Sequence, residues 1–176
     1  RGNSTVVYNG NGSQTIGNFY YYNLQLNGNG SKSLNRNTTV SGGGTLTITN
    51  GVLNLNGYRI YLDRNFTIAG GPFGTTNMID FQNGGYIYVR SNSANDLQWT
   101  YPLGYGSDYN PLTISNVSND VNGYLSIYLI NSKHPLTDGT DNCLTKYVSL
   151  VHNGLNGTEF DAVYTYSDGD IPGIEG

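Results

Sequence analysis

Residues 42 to 70 read GGGTLTITNGVLNLNGYRIYLDRNFTIAG, with apolar and polar positions alternating in pieces of three or four residues separated by Gly or Asn-Gly. Alternation at a period of two marks a β-strand with one face on a core. The apolar pairs of the N-terminal half are Leu24/Leu26, Thr38/Val40, Leu46/Ile48, Leu53/Leu55, Ile60/Leu62, Phe66/Ile68, Ile79/Phe81 and Ile87/Val89. Successive pairs from 38 to 66 start six to eight residues apart, too close for ordinary hairpins. A longer interval of 19 to 22 residues links Leu24, Leu46, Phe66 and Ile87, and another series links Thr38, Ile60 and Ile79. A coil of three short strands per turn satisfies both periods: a β-solenoid, whose rungs bury their apolar rows only by stacking. We expect each of the two series to form one stacked column. Asn-Gly pairs at 27, 50, 56 and 83 suit the corners, where positive φ is needed. A sandwich of short hairpins is the competing pattern, but hairpins do not require a constant interval.

From about residue 96 the pattern lengthens. NDLQWTYPLGYGSDYNPLTI reads as a junction, and candidate strands follow at Leu112 to Val117, Tyr124 to Ile130, Lys146 to His152 and Ala162 to Tyr166. Leu125, Ile127 and Leu129 alternate with Tyr124, Ser126 and Tyr128, as in an antiparallel sheet covered on one face. The expected architecture is all-β: a short β-solenoid over residues 1–95 followed by an antiparallel β-sandwich over 96–176. Four strands make a thin sandwich, which leaves room for a strand donated by another chain.

Composition agrees with this pattern. The chain of 176 residues holds 25 Gly, 16 Tyr, 25 Asn and 17 Thr but only 11% charged residues, so turn and strand formers displace helix formers. No apolar run in this sequence approaches the length of a membrane span, and no charged stretch followed by an apolar one reads as a secretory leader. The start at Arg1 and the end in DGDIPGIEG suggest a piece of a longer chain. A single Cys143 leaves no disulfide framework and no thiol pair for zinc. Six basic residues face two acidic ones up to residue 95, and two face ten beyond it, so the halves carry opposite charge within a net −4. This is far too few cations for nucleic-acid binding.

The segment TVVYNGNGSQTIGNFYYYNLQLNGNGSKSLNRNTTVSGGGTLTITNGVLNLNGYRIYL resembles one found in large secreted surface proteins of Bacteroidota. WTYPLGYGSDYNPLTISNVS and LTKYVSLVH…FDAVYTYSDGDIPGIE resemble the module that follows it there, although Tyr147-Val148 lacks the Trp of that pattern. The resemblance implies an extracellular or cell-surface fragment exported by the type IX route and serving in adhesion, gliding or a surface filament, without catalytic residues.

Few residues point to chemistry. Asp168, Asp170 and Glu175 in SDGDIPGIEG are candidate calcium ligands, since hard cations take several oxygens from one short loop; Asp138 and Asp141 form a weaker group. His134 and His152 are the only histidine pair for a metal. Asp63 with Arg64 and Arg59 is the only charged cluster of the first half that an enzyme could use, and neighbours 63 and 64 point to opposite sides of a strand. Thr45, Thr47 and Thr49 form an outward row of the type that binds ice, but the next rung offers Thr67 and Ala69 and breaks it. Asn-x-Ser/Thr acceptor sites for glycosylation begin at Asn3, Asn11, Asn29, Asn37, Asn65, Asn116 and Asn156. Of Tyr20, Tyr21 and Tyr22, at least one ring must face outward, as an assembly or ligand surface.

The sequence reading is therefore a non-enzymatic extracellular structural protein, a subunit or repeat of a surface filament or adhesin. Its partners would be copies of itself in a homo-oligomer joined through strand edges and oppositely charged ends, with surface glycans as further partners and no nucleic acid or membrane insertion. The alternative is a carbohydrate-binding module, and behind it a polysaccharide-degrading enzyme.

Overall fold

A computed structural model describes residues 3–118, 121–137 and 143–171. The chain winds through about five turns of a β-solenoid and then adds antiparallel sheets. The first turn supplies β1 (Thr5–Tyr8) and β2 (Gln14–Ile16), the second β3 (Tyr20–Leu26) and β4 (Ser31–Leu34), and the third β5 (Thr38–Ile48) and β6 (Val52–Asn54). The fourth supplies β7 (Arg59–Leu62), β8 (Thr67–Ala69) and β9 (Ile79–Asp80). The fifth holds β10 (Tyr86–Ser91), a one-turn helix α1 (Ala94–Leu97), β11 (Thr100–Tyr101) and β12 (Leu103–Tyr105). β13 (Asp108–Tyr109), β14 (Leu112–Ser118), β15 (Gly123–Ile130), β16 (Tyr147–Asn153) and β17 (Glu159–Tyr164) complete the order. No described helix is long and apolar enough to cross a membrane.

Each turn has three sides, and parallel pairing stacks like on like. On the first side Thr38 pairs with Ile60 and Ile60 with Ile87, while Val40, Leu62 and Val89 form the next inward row. On the second side Leu24 pairs with Leu46 and Leu46 with Ile68. On the third, Gln14, Lys32, Leu53, Ile79 and Leu103 follow one another. All eight apolar pairs predicted from alternation are buried.

The predicted columns need correction. Leu24 and Leu46 do share a column, but Ile68 is the next member; Phe66 lies in the corner before β8 and Ile87 belongs to the first side. Ile79 leaves the Thr38–Ile60 series for the third side. The interval is the reason: it ranges from 18 to 27 residues instead of 19 to 22, and the loop from Gly70 to Met78 accounts for the long steps of 26 and 27 from Leu53 to Ile79 and from Ile60 to Ile87.

β3 and β5 each cover two sides and bend between them. The register shifts between Tyr21 and Asn23, and Gly42 to Gly44 of β5 lie opposite that bulge. A Cβ on Gly44 would collide with the Tyr22 carbonyl, so only glycine lets the strands approach. In the fourth turn the same bend becomes a break, and β7 and β8 pair with separate halves of β5.

The antiparallel part grows directly on the coil. β15 pairs antiparallel with β10 and β16 with β15, extending the sheet of the first side, while β12 still pairs parallel with β9 beyond residue 95. β11, β14 and β17 form a third sheet. Leu112, Ile114, Leu125, Ile127 and Leu129 belong to the same continuous core as the solenoid residues. The expected alternation of β15 is present, with Ser126 buried as well. The last predicted strand, Ala162 to Tyr166, starts earlier, at Glu159. Buried Asp80 ties three turns of the third side together, accepting from Asn54 Nδ2 and from the backbone N–H groups of Gln82 and Gly106.

Candidate binding groove

Residues between the inward rows of the first side must face outward. Parallel pairing then brings Tyr20, Thr39, Tyr61 and Tyr88 into one transverse row, with Arg59 beside Tyr86 and Tyr128 in the next. The rings touch: Tyr61 and Tyr88 at 5.1 Å, Tyr88 and Tyr124 at 5.0 Å, and Tyr86 stacked on Tyr128 at 4.6 Å between centroids. Arg59 donates to the Tyr61 hydroxyl at 2.9 Å and lies over the Tyr86 ring at 5.2 Å.

Beside these rings lies a groove of about 530 Å³, lined among others by Tyr20, Thr39, Tyr61, Asp63, Tyr88 and Tyr124. It crosses five neighbouring strands from β3 to β15, roughly 19 Å at the usual spacing. At one end it shares Asn18 and Asn37 with a recess holding Arg36 and Tyr58, and at the other it shares Arg90 and Tyr124 with a recess holding Arg64 and Asn153. Burial raises the Tyr86 and Tyr88 phenols above their ordinary range, with Arg59 opposing the rise at both. Exposed Tyr20 and half-buried Tyr61, Tyr88 and Tyr124, with amides, one carboxylate and Arg90 beside them, suit ring stacking and hydroxyl hydrogen bonding.

The predicted tyrosine block divides by side. Tyr20 is 72% exposed and lines the groove, whereas Tyr21 is in the core, its hydroxyl donating to the Gly17 carbonyl and 3.0 Å from the Tyr8 hydroxyl. Tyr22 sits half-buried at the bulge. Of the charged cluster, Asp63 and Arg59 stand at opposite ends of the β7 segment, and Asp63 lies 3.6 Å from Arg90. Asp63 is the one carboxylate among the residues lining the groove and its two recesses.

The other candidates separate. Asp170 is buried and accepts from Lys146, Asn110 Nδ2 and both the amide and hydroxyl of Ser167. Lys146 also lies 2.9 Å from Asp108. An ammonium thus stands where a calcium ion was expected; Asp168 is exposed and Glu175 lies outside the described residues, as do Asp138 and Asp141. No cluster of three or more His, Cys, Asp or Glu suited to a metal occurs among the described residues. His134 packs on Tyr147 at one end of β16 and His152 is exposed five residues along it, about 17 Å away in an extended strand. Thr45 and Thr47 are followed by Thr67 and Ala69 in register, so the threonine row stops as expected. All seven glycosylation acceptors, Asn3, Asn11, Asn29, Asn37, Asn65, Asn116 and Asn156, are exposed.

Sequence reasoning missed Tyr61, Tyr86, Tyr88, Tyr124 and Tyr128 as a surface. The signal was present in RIYL, YIYVR and YLSIYL, where each tyrosine adjoins a core residue and must therefore face away from the core. No family model, curated protein or solved structure matches the chain.

Proposed function

We propose that this chain is a non-catalytic module of an extracellular or cell-surface adhesin, in which the solenoid holds the tyrosine groove against an extended glycan. The observation that carries this reading is the row of touching tyrosines crossing successive strands, flanked by amide and hydroxyl side chains. Tyrosine offers a broad face with few torsions to immobilise, and a stacked sheet fixes the spacing of several such faces at once. A lone carboxylate already close to an arginine favours binding over bond cleavage, which needs an acid and a second carboxylate placed around the same bond. The seven exposed acceptor asparagines and the resemblance to Bacteroidota surface proteins support the extracellular setting. Binding to a panel of immobilised glycans tests the proposal. Tyr61→Ala with Tyr88→Ala should weaken the best ligand at least about tenfold while leaving the circular dichroism unchanged. Retained affinity in that variant would remove the groove from the account.

A second reading, self-assembly into a filament, rests on a different observation. The outer edge of β1 has no partner strand among the described residues, and Val6 and Val7 beside it are 40% and 44% exposed. Unpaired edges of this kind template further pairing. Electron microscopy over a concentration series should show elongated particles; monomers at the highest concentration contradict assembly without touching the glycan reading.

A further inference from the structure

The two arginines at one end of the groove narrow the ligand class. We propose that the groove takes an acidic polysaccharide, with its carboxylate or sulfate groups held between Arg64 and Arg90; this rests on the glycan reading above. The recess there measures about 320 Å³ and joins the main groove through Arg90 and Tyr124. Its protein partners leave both guanidiniums largely unanswered. The Arg64 side chain makes no hydrogen bond or ion pair with the described residues, and its Nε is shielded from water without an acceptor. Arg90 Nε is in the same condition, and its guanidinium reaches Asp63 only at 3.6 Å, beyond hydrogen-bond length.

A guanidinium presents a planar fork that matches a carboxylate or sulfate with two parallel bonds. Tyr124, its ring tilted against that of Tyr88 at 5.0 Å, lies beside this pair. A sugar ring on the tyrosines therefore places a ring-borne acid group within reach of the forks. A neutral sugar answers those donors only through hydroxyl oxygens, whereas an acidic one adds stronger, charge-assisted bonds. The chain as a whole carries a net −4, so attraction of a polyanion must come from this local site and not from overall charge.

Affinity electrophoresis of the whole chain with matched polymers tests the assignment: dextran against dextran sulfate, and polygalacturonate against its methyl ester. Retardation by either acidic polymer but not by its neutral partner, weakening with added salt, is the expected result, and the acid that retards identifies sulfate or carboxylate. Arg64→Gln and Arg90→Gln should each lower that affinity about tenfold or more, with Lys at either position restoring only part of it and thermal midpoints unchanged. Equal retardation by acidic and neutral polymers, or indifference to the arginine variants, overturns the acidic assignment while the glycan reading stands. Absence of binding to every acidic and neutral polymer, and to the glycan panel, overturns both.

Discussion

Two lysines are buried in this molecule, and their surroundings give them different roles. Lys146 faces Asp170 and Asp108, which raise its pKa despite burial, and the same ion pair and its hydrogen bonds lower that of Asp170. A depressed carboxylate contributes stability that is present above its ordinary value near 3.8 and lost as pH falls below it. A raised ammonium contributes stability that is present below its ordinary value near 10.5 and lost above it. Denaturant unfolding across pH should therefore show a plateau between those limits. Asp170→Asn should lower the plateau by about 3–5 kcal/mol and flatten its acid limb, because a buried cation is left with a weaker partner. Lys32 has no carboxylate; its ammonium donates to the carbonyls of Gly10, Gly12 and Asn29, and burial lowers its pKa. Its stem stands in the inward column of the third side, between Gln14 and Leu53. Urea denaturation should find Lys32→Ala less stable by about 2–4 kcal/mol through the cavity it leaves. Lys32→Met, which keeps the stem and removes the costly charge, should change stability by less than about 1 kcal/mol.

Strands of three or four residues persist here because neighbours on two flanks supply their hydrogen bonds and cover their apolar rows. Backbone contact between turns is correspondingly close, which makes certain glycines structural. Gly44→Ala drives a methyl group into the Tyr22 carbonyl at the bulge, and overpacking of this kind costs about 1–3 kcal/mol. A drop of roughly 3–10 °C in the midpoint of thermal unfolding is expected for a domain of this size. Gly12→Ala is the control, since no atom lies near the added carbon and its φ is not positive; it should leave the midpoint unchanged or slightly raised. Alternation revealed most of these elements, including β14, β15 and β16 to within a residue or two. It gave no pair for β1, β2 and β4, where polar Gln14 and Lys32 interrupt the apolar row of the third side, or for β11, β12 and β13.

At the scale of the molecule, one core runs from the first turns into the antiparallel sheets, although charge and texture change near residue 95. Trp99 sits at that junction, its ring 5.5 Å from Phe66 of the fourth turn. Removing the later strands would uncover the edge of β10, so solenoid and antiparallel part should unfold together. Far-UV circular dichroism and Trp99 fluorescence should give coincident thermal transitions; two resolved midpoints would establish separate folding units instead. The same continuity explains the groove, because the outer face that begins at Tyr20 is extended by β15 with Tyr124 and Tyr128.

Alternation by itself determined the β class, the coil, the buried member of nearly every pair and the outward direction of the tyrosines between them. Those are local properties, set by a period of two along the chain. Tertiary structure alone decided which turn stacks on which residue, since loop length shifts the register between turns without altering the pattern inside any strand. It also placed Asp170 against Lys146 and Asn110, and gathered tyrosines from four separate strands around one groove, because partners that far apart in sequence meet only when the sheets close.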